Sequence, residues 1–125
     1  MNSKFKIVLA IVGGAALGAA AVQGLHAQAK PKAYLVTESE VVDAAALASF
    51  TAAISAVQKA AGGRSFGTRG KIVANVGEPP KRVGLSEWDG LEQVQTYLNS
   101  PARKNVVGDG KVVKITRQYI VEAGN

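Results

Sequence analysis

A chain of 125 residues has room for one domain. It contains no cysteine and a single histidine, His26, so no disulfide framework holds it and thiolate catalysis is excluded. Lys and Arg outnumber Asp and Glu by fifteen to nine, but the excess is scattered, whereas a nucleic-acid surface needs basic residues clustered on one face.

The opening "MNSKFK" carries Lys4 and Lys6 with no acid, and residues 7–22, "IVLAIVGGAALGAAAV", follow without a charge. Ala27 and Ala29 then flank Gln28, the small-residue pattern at which a secretory signal peptide is cut. The uncharged run falls short of the roughly 20 residues that span a bilayer. The reading is therefore a signal peptide over residues 1–29 rather than a retained anchor, with the remainder periplasmic or secreted and free of the membrane. Cleavage there also removes His26, leaving neither histidine nor cysteine. Cys–His and Ser–His–Asp catalysis and ordinary zinc sites are then excluded, and no metal or cofactor is expected. Thirteen Lys and Arg against nine Asp and Glu stay behind, a net charge of +4 that describes a mildly basic solvated surface without a nucleic-acid partner.

Residues 30–32, "KPK", form an exposed lead-in. "AYLVTESEV", residues 33–41, alternates Tyr34, Val36 and Glu38 against Leu35, Thr37 and Ser39, and its β-branched and aromatic content makes it a strand. Asp43 follows as a helix N-cap. Residues 44–61 are strong helix formers in which Leu47, Phe50, Ile54, Val57 and Ala61 draw one apolar stripe, opposite a face of Ser49, Ala53, Gln58 and Lys59. Gly62 and Gly63 come directly after the stripe, where a helix closes in a left-handed turn.

"RSFGTRGKIVANV", residues 64–76, reads as a second strand through Phe66, Ile72, Val73 and Val76, with Gly67 and Gly70 marking a bulge or a close backbone approach. A phosphate cradle is excluded by order: its glycines lead from a strand into a helix N-terminus, whereas these follow a helix C-terminus, where the dipole repels anions. "GEPPKR", residues 77–82, is a turn, and "RVGLSEW", residues 82–88, a third strand. Asp89 is a candidate cap for a second helix, "GLEQVQTYLNS", whose stripe is Leu91, Val94 and Leu98 with Tyr97 beside it and Pro101 as its limit. After a Gly-Asp-Gly break at residues 108–110, propensity allows a strand anywhere from 111 to 122, with 115–122 favoured as the paired part.

The order strand, helix, strand, strand, helix, strand is that of the ferredoxin-like α+β fold: a four-stranded antiparallel sheet with two main helices on one face. Both sets of alternating residues on strand one are partly apolar, so the uncovered sheet face calls for a partner. A domain this small buries only about 60–65% of its unfolded surface. Both considerations predict a homodimer, sheet against sheet.

"AAGGRSFGTRGK", "GEPPKRV", "EWDGLEQVQTYLNSPA" and the closing "YIVEA" resemble the domain-of-unknown-function 1330 family, a branch of the dimeric α/β-barrel superfamily. The resemblance covers about residues 33–123. It implies the dimeric barrel and helical structure between Pro101 and roughly Lys111, without implying an established activity. Related branches include cofactor-independent oxygenases of small aromatic substrates, which is an analogy of fold. The chain departs from the family pattern at Arg103, where a Tyr is usual, and at Val107, where an Arg is usual. Gly108 and Gly110 also replace helix-favouring residues.

Four groups of residues are candidates for a site. Arg64 and Arg69 offer planar forks for an anion or carboxylate, or are strand-edge cations paired with Glu. Strands one and three are expected to lie adjacent and parallel, with Glu38 and Glu87 late in each. Either carboxylate serves as a general base inside a barrel, or both are ion-paired with Arg64, Arg69 or Arg117. Trp88 and Tyr97 line an aromatic pocket or simply fill the core, and Tyr34 and Tyr119 pose the same choice. Two functions follow: an exported dimer that binds a small acidic or aromatic molecule between helices and sheet, or a cofactor-independent enzyme using a strand Glu as base and an Arg to orient its substrate.

Overall fold

The structure, a computed structural model, describes residues 30–67 and 70–124. The expected signal peptide lies outside them, as does Arg69. The described elements run β1 (Ala33–Val41), α1 (Leu47–Ala60), β2 (Arg64–Phe66), β3 (Arg82–Trp88), α2 (Leu91–Asn99), α3 (Pro101–Val107) and β4 (Val113–Glu122). The strands form one antiparallel sheet in the order β2-β3-β1-β4, the ferredoxin-like arrangement.

β1 takes the centre because its alternation serves both neighbours. Ala33, Leu35, Thr37 and Ser39 share the helix-covered face with Trp88, Ser86, Gly84 and Arg82 of β3. Tyr34, Val36 and Glu38 share the open face with Glu87, Leu85 and Val83. The pairing of β1 with β3 is antiparallel, which corrects the expectation of parallel strands. The hairpin-like return through β2 and β3 reverses the chain once more than a parallel pair would require. Glu38 therefore stands opposite Val83 and Glu87 opposite Tyr34, at opposite ends of the strand pair.

The second strand is shorter than its composition predicts. Among the described residues Arg64–Phe66 pair with β3, and residues 71–81 contain no strand, with Val73 and Val76 exposed. Gly67 interrupts the pattern immediately after Phe66, with no side chain of its own to pack. At the other edge β4 begins at Val113, two residues earlier than favoured. A bulge opposite Glu38 and Ser39 leaves Thr116 outside the ladder, its hydroxyl donating to the Glu38 carbonyl at 3.1 Å. The extra residue keeps Val113 and Ile115 on the helix face together with Gln118 and Ile120, which a regular strand would not.

α1 starts three residues later than residue 44. The Asp43 carboxylate accepts from the amides of Ala45 and Ala46, at 3.1 and 3.2 Å, and so caps a lead-in turn rather than the helix proper. The helix closes as expected. Gly62, at φ +95°, donates to Lys59 O and Gly63 donates to Gln58 O, the paired bonds of a Schellman motif. Asp89 does not cap α2; Gly90 occupies that position, and the Asp89 amide donates to the Gln93 side chain instead. A third helix, α3, is built on Ser100 and Pro101. The Ser100 hydroxyl accepts from the Arg103 amide, Pro101 needs no amide partner in the first turn, and Gly108 (φ +57°) ends the helix at Val107.

The core gathers at one end of the sheet, where Ala33, Leu35, Trp88, Val94 and Tyr97 are almost wholly enclosed. Trp88 and Tyr97 stack with ring centroids 4.7 Å apart, and full burial of each such side chain contributes about 1.5–3 kcal/mol. α1 is different: none of its residues is fully buried. It rests mainly on α3 and β2; its last turns reach the core through Val57, while the earlier part of its stripe overhangs the sheet. Among the described residues no helix is long and apolar enough to cross a membrane.

Candidate ligand site

The gap beneath α1 is a cavity of about 630 Å³. Its floor is the helix face of the sheet, with Leu35 and Thr37 of β1, Ser86 of β3, and Ile115 and Gln118 of β4. Phe50 and Ile54 of α1 form the roof, and Tyr97, Arg103 and Val107 close the side supplied by α2 and α3. Arg103 and Val107 are one helical turn apart, so the two positions that depart from the family pattern both reach this cavity.

A chain of hydrogen bonds crosses the cavity wall. Arg103 donates through one terminal nitrogen to the Leu98 carbonyl at 3.4 Å and through the other to Gln118 Oε1 at 3.1 Å. Gln118 Nε2 in turn donates to Thr37 Oγ1 at 2.8 Å. The guanidinium also lies 5.9 Å from the centroid of the Tyr97 ring. Burial pushes the Tyr97 phenol above its ordinary pKa, and the Arg103 charge opposes the shift. Nearby, Arg82 donates to Ser39 Oγ at 3.3 Å.

The residues singled out from the sequence divide between the two faces of the sheet. Tyr97 lines the cavity. Trp88 is core, fully enclosed, with its indole N–H donating to Ser86 Oγ at 2.8 Å. Arg64 lies on the open face, where it reaches Glu87 at 2.6 Å and Asp89 at 3.1 Å. Glu87 also receives Lys32 at 2.7 Å. The hydrogen bonds from Lys32 and Arg64 hold the Glu87 carboxyl below the usual carboxylate range. Glu38 pairs with Arg117 across the β1–β4 ladder, again on the open face. Neither carboxylate lines the cavity, and the two are not brought together. Among the described residues no cluster of acids or histidines could hold a metal ion.

Sequence reasoning passed over Arg82, Thr37 and Gln118 and noted Arg103 only as a departure. One signal was available: Ser100 followed by Pro101 is the start of a helix, and Arg103 and Val107 then fall on one face of it.

Two solved structures of a protein of unknown function from Rhodopseudomonas palustris are similar to this chain. One matches with a TM-score of 0.55 at 10% identity, covering 75% of this chain and 82% of that chain. The methylated form of the same protein matches with a TM-score of 0.57 at 11% identity, covering 77% and 82%. At such identity the likeness speaks for the fold alone. No match was found among curated proteins. The family model described as a domain of unknown function (DUF1330) matches residues 32–123, the whole of the sheet and its helices, and the chain belongs to that family.

Proposed function

We propose that the protein is an exported homodimer that binds a small organic molecule, acidic or aromatic, in the cavity between its helices and its sheet. The observation that carries the reading is the cavity itself. Its volume of about 630 Å³ falls within the roughly 300–1,000 Å³ of small-molecule sites. Its lining is mixed in the same way, with apolar walls from Phe50, Ile54 and Ile115 and a few polar groups at Thr37, Gln118 and Arg103.

Export rests on the leader pattern of residues 1–29. The dimer rests on the open sheet face, where Val36 lies between Leu85 and Tyr119 in a partly apolar surface. Tyr119 and Val121 on this face are 41% and 47% exposed and adjoin Val36, a contiguous apolar surface of the kind that marks an interaction site. Binding is preferred to catalysis because the strand carboxylates Glu38 and Glu87 face away from the cavity and are already ion-paired.

A thermal-shift screen of the purified protein with small carboxylates and neutral aromatics tests the binding reading. A ligand at ten times its Kd adds about 1.4 kcal/mol, or a rise of roughly 6–11 °C for a domain of this size. Arg64→Ala, on the other face, leaves that rise intact. A screen in which no compound raises the melting temperature refutes the reading.

A further inference from the structure

We infer that the cavity selects a carboxylate with an apolar body, and that Arg103 is the residue that receives the carboxylate. The inference rests on the binding reading above and gives it a ligand class.

The charge of the lining is one-sided. Among the described residues that line it, Lys81, Arg82 and Arg103 carry charge and none is Asp or Glu. Lys81 is well exposed and has Glu40 as a partner at 3.4 Å. The two arginines differ from it. Among the described residues neither Arg82 nor Arg103 pairs with a carboxylate; their protein partners are uncharged: hydroxyls, an amide oxygen, a backbone carbonyl and the Tyr97 ring. A half-buried guanidinium without a counter-charge carries a desolvation cost that neutral acceptors only partly offset. An incoming anion relieves it.

Arg103 is the better placed of the two. Its backbone is fixed at the start of α3 by the Ser100 cap, and its head is held between Gln118 and the face of Tyr97. Gln118 is itself oriented by Thr37, so the guanidinium is aimed before a ligand arrives and little ordering is left to do on binding. A guanidinium has five N–H donors in a planar fork. The bonds to Leu98 and Gln118 and the interaction with the Tyr97 hydroxyl use at most three, leaving donors for a carboxylate. Leu35, Phe50, Ile54, Val107 and Ile115 surround the remaining space, which suits a hydrocarbon or aryl body and disfavours a second charge.

The test is calorimetric titration of the purified protein with phenylalkanoates of increasing chain length and with decanoate, each beside the corresponding alcohol. Charge-assisted hydrogen bonds predict that the carboxylate binds about ten- to a hundredfold more tightly than its alcohol. Arg103→Gln removes that preference by weakening the carboxylate far more than the alcohol, and Arg103→Lys restores part of it. Equal affinity of carboxylate and alcohol for the wild-type protein overturns the inference while leaving the cavity as a binding site. A preference that survives Arg103→Gln and disappears in Arg82→Gln overturns the assignment to Arg103. Failure of both ligand classes to bind at millimolar concentration removes the binding reading and this inference with it. The wild-type comparison decides the ligand class even if Arg103→Gln does not fold.

Discussion

Adding one methyl group at Gly63 is the sharpest test of how the helix end and the core are fitted together. Gly63 follows the Schellman turn of α1 and is buried. A Cβ there would stand 2.5 and 2.7 Å from two ring carbons of Trp88 and 2.8 Å from Cγ of Gln58. Ordinary contacts between carbons lie near 3.5–4.0 Å, so the ring or the backbone must give by about 1 Å. Trp88 has little freedom to do so: its indole N–H is bonded to Ser86 Oγ at 2.8 Å, and its ring stacks on Tyr97 at 4.7 Å. Overpacking of this kind costs about 1–3 kcal/mol. At about 4–8 °C per kcal/mol for a domain of this size, Gly63→Ala lowers the melting temperature by about 4–24 °C. Gly67→Ala is the matched control, since a Cβ at that position meets nothing within 4 Å. It is neutral, or stabilises by about 0.4–1 kcal/mol through the unfolded state. Thermal unfolding followed by circular dichroism, with the fluorescence of Trp88 as a second probe, separates the two. A Gly63→Ala variant as stable as Gly67→Ala would mean that Trp88 is not a fixed wall, and the account of the core would fail.

The ion pairs of Glu87 make a pH prediction. Because Lys32 and Arg64 lower its folded pKa, its contribution is fully present above the ordinary carboxylate range and is lost as the pH falls through the depressed value. The melting-temperature difference between wild type and Glu87→Gln is therefore constant near neutrality and vanishes in acid; a difference that grows on acidification refutes the assignment. Asp43→Ala removes the acceptor for two backbone amides and destabilises by about 0.5–2 kcal/mol in urea unfolding, whereas Asp43→Asn, which keeps an acceptor, costs little. Val36→Lys places a charge at the centre of the open sheet face and converts a dimer into a monomer in sedimentation velocity. A wild-type protein that is already monomeric at micromolar concentration refutes the sheet-to-sheet dimer.

What was legible in the sequence was local. The period-two alternation of residues 33–41 and 82–88 places β1 and β3, because side-chain direction in a strand is fixed by the backbone alone. The apolar stripe and the glycine pair after it place α1 and its end for the same reason. Where local chemistry was ambiguous, pairing decided. Residues 71–76 have strand-like composition but pair with no strand among the described residues, and β4 begins at Val113 because Val41 stands opposite it.

The site was tertiary from the start. Arg103, Gln118 and Thr37 form one hydrogen-bonded row although 15 residues separate the first two and 81 separate the last two. Only the β1–β4 register and the bulge that preserves its facing bring them together. The cavity likewise depends on α1 resting on α3 and β2, a spacing that no run of residues encodes. Sequence alone determined the order and type of the main elements and the residue types available, because those follow from short-range sterics and periodicity. Folding decided which cations face a cavity and which face acids, because that depends on contacts between segments far apart in the chain.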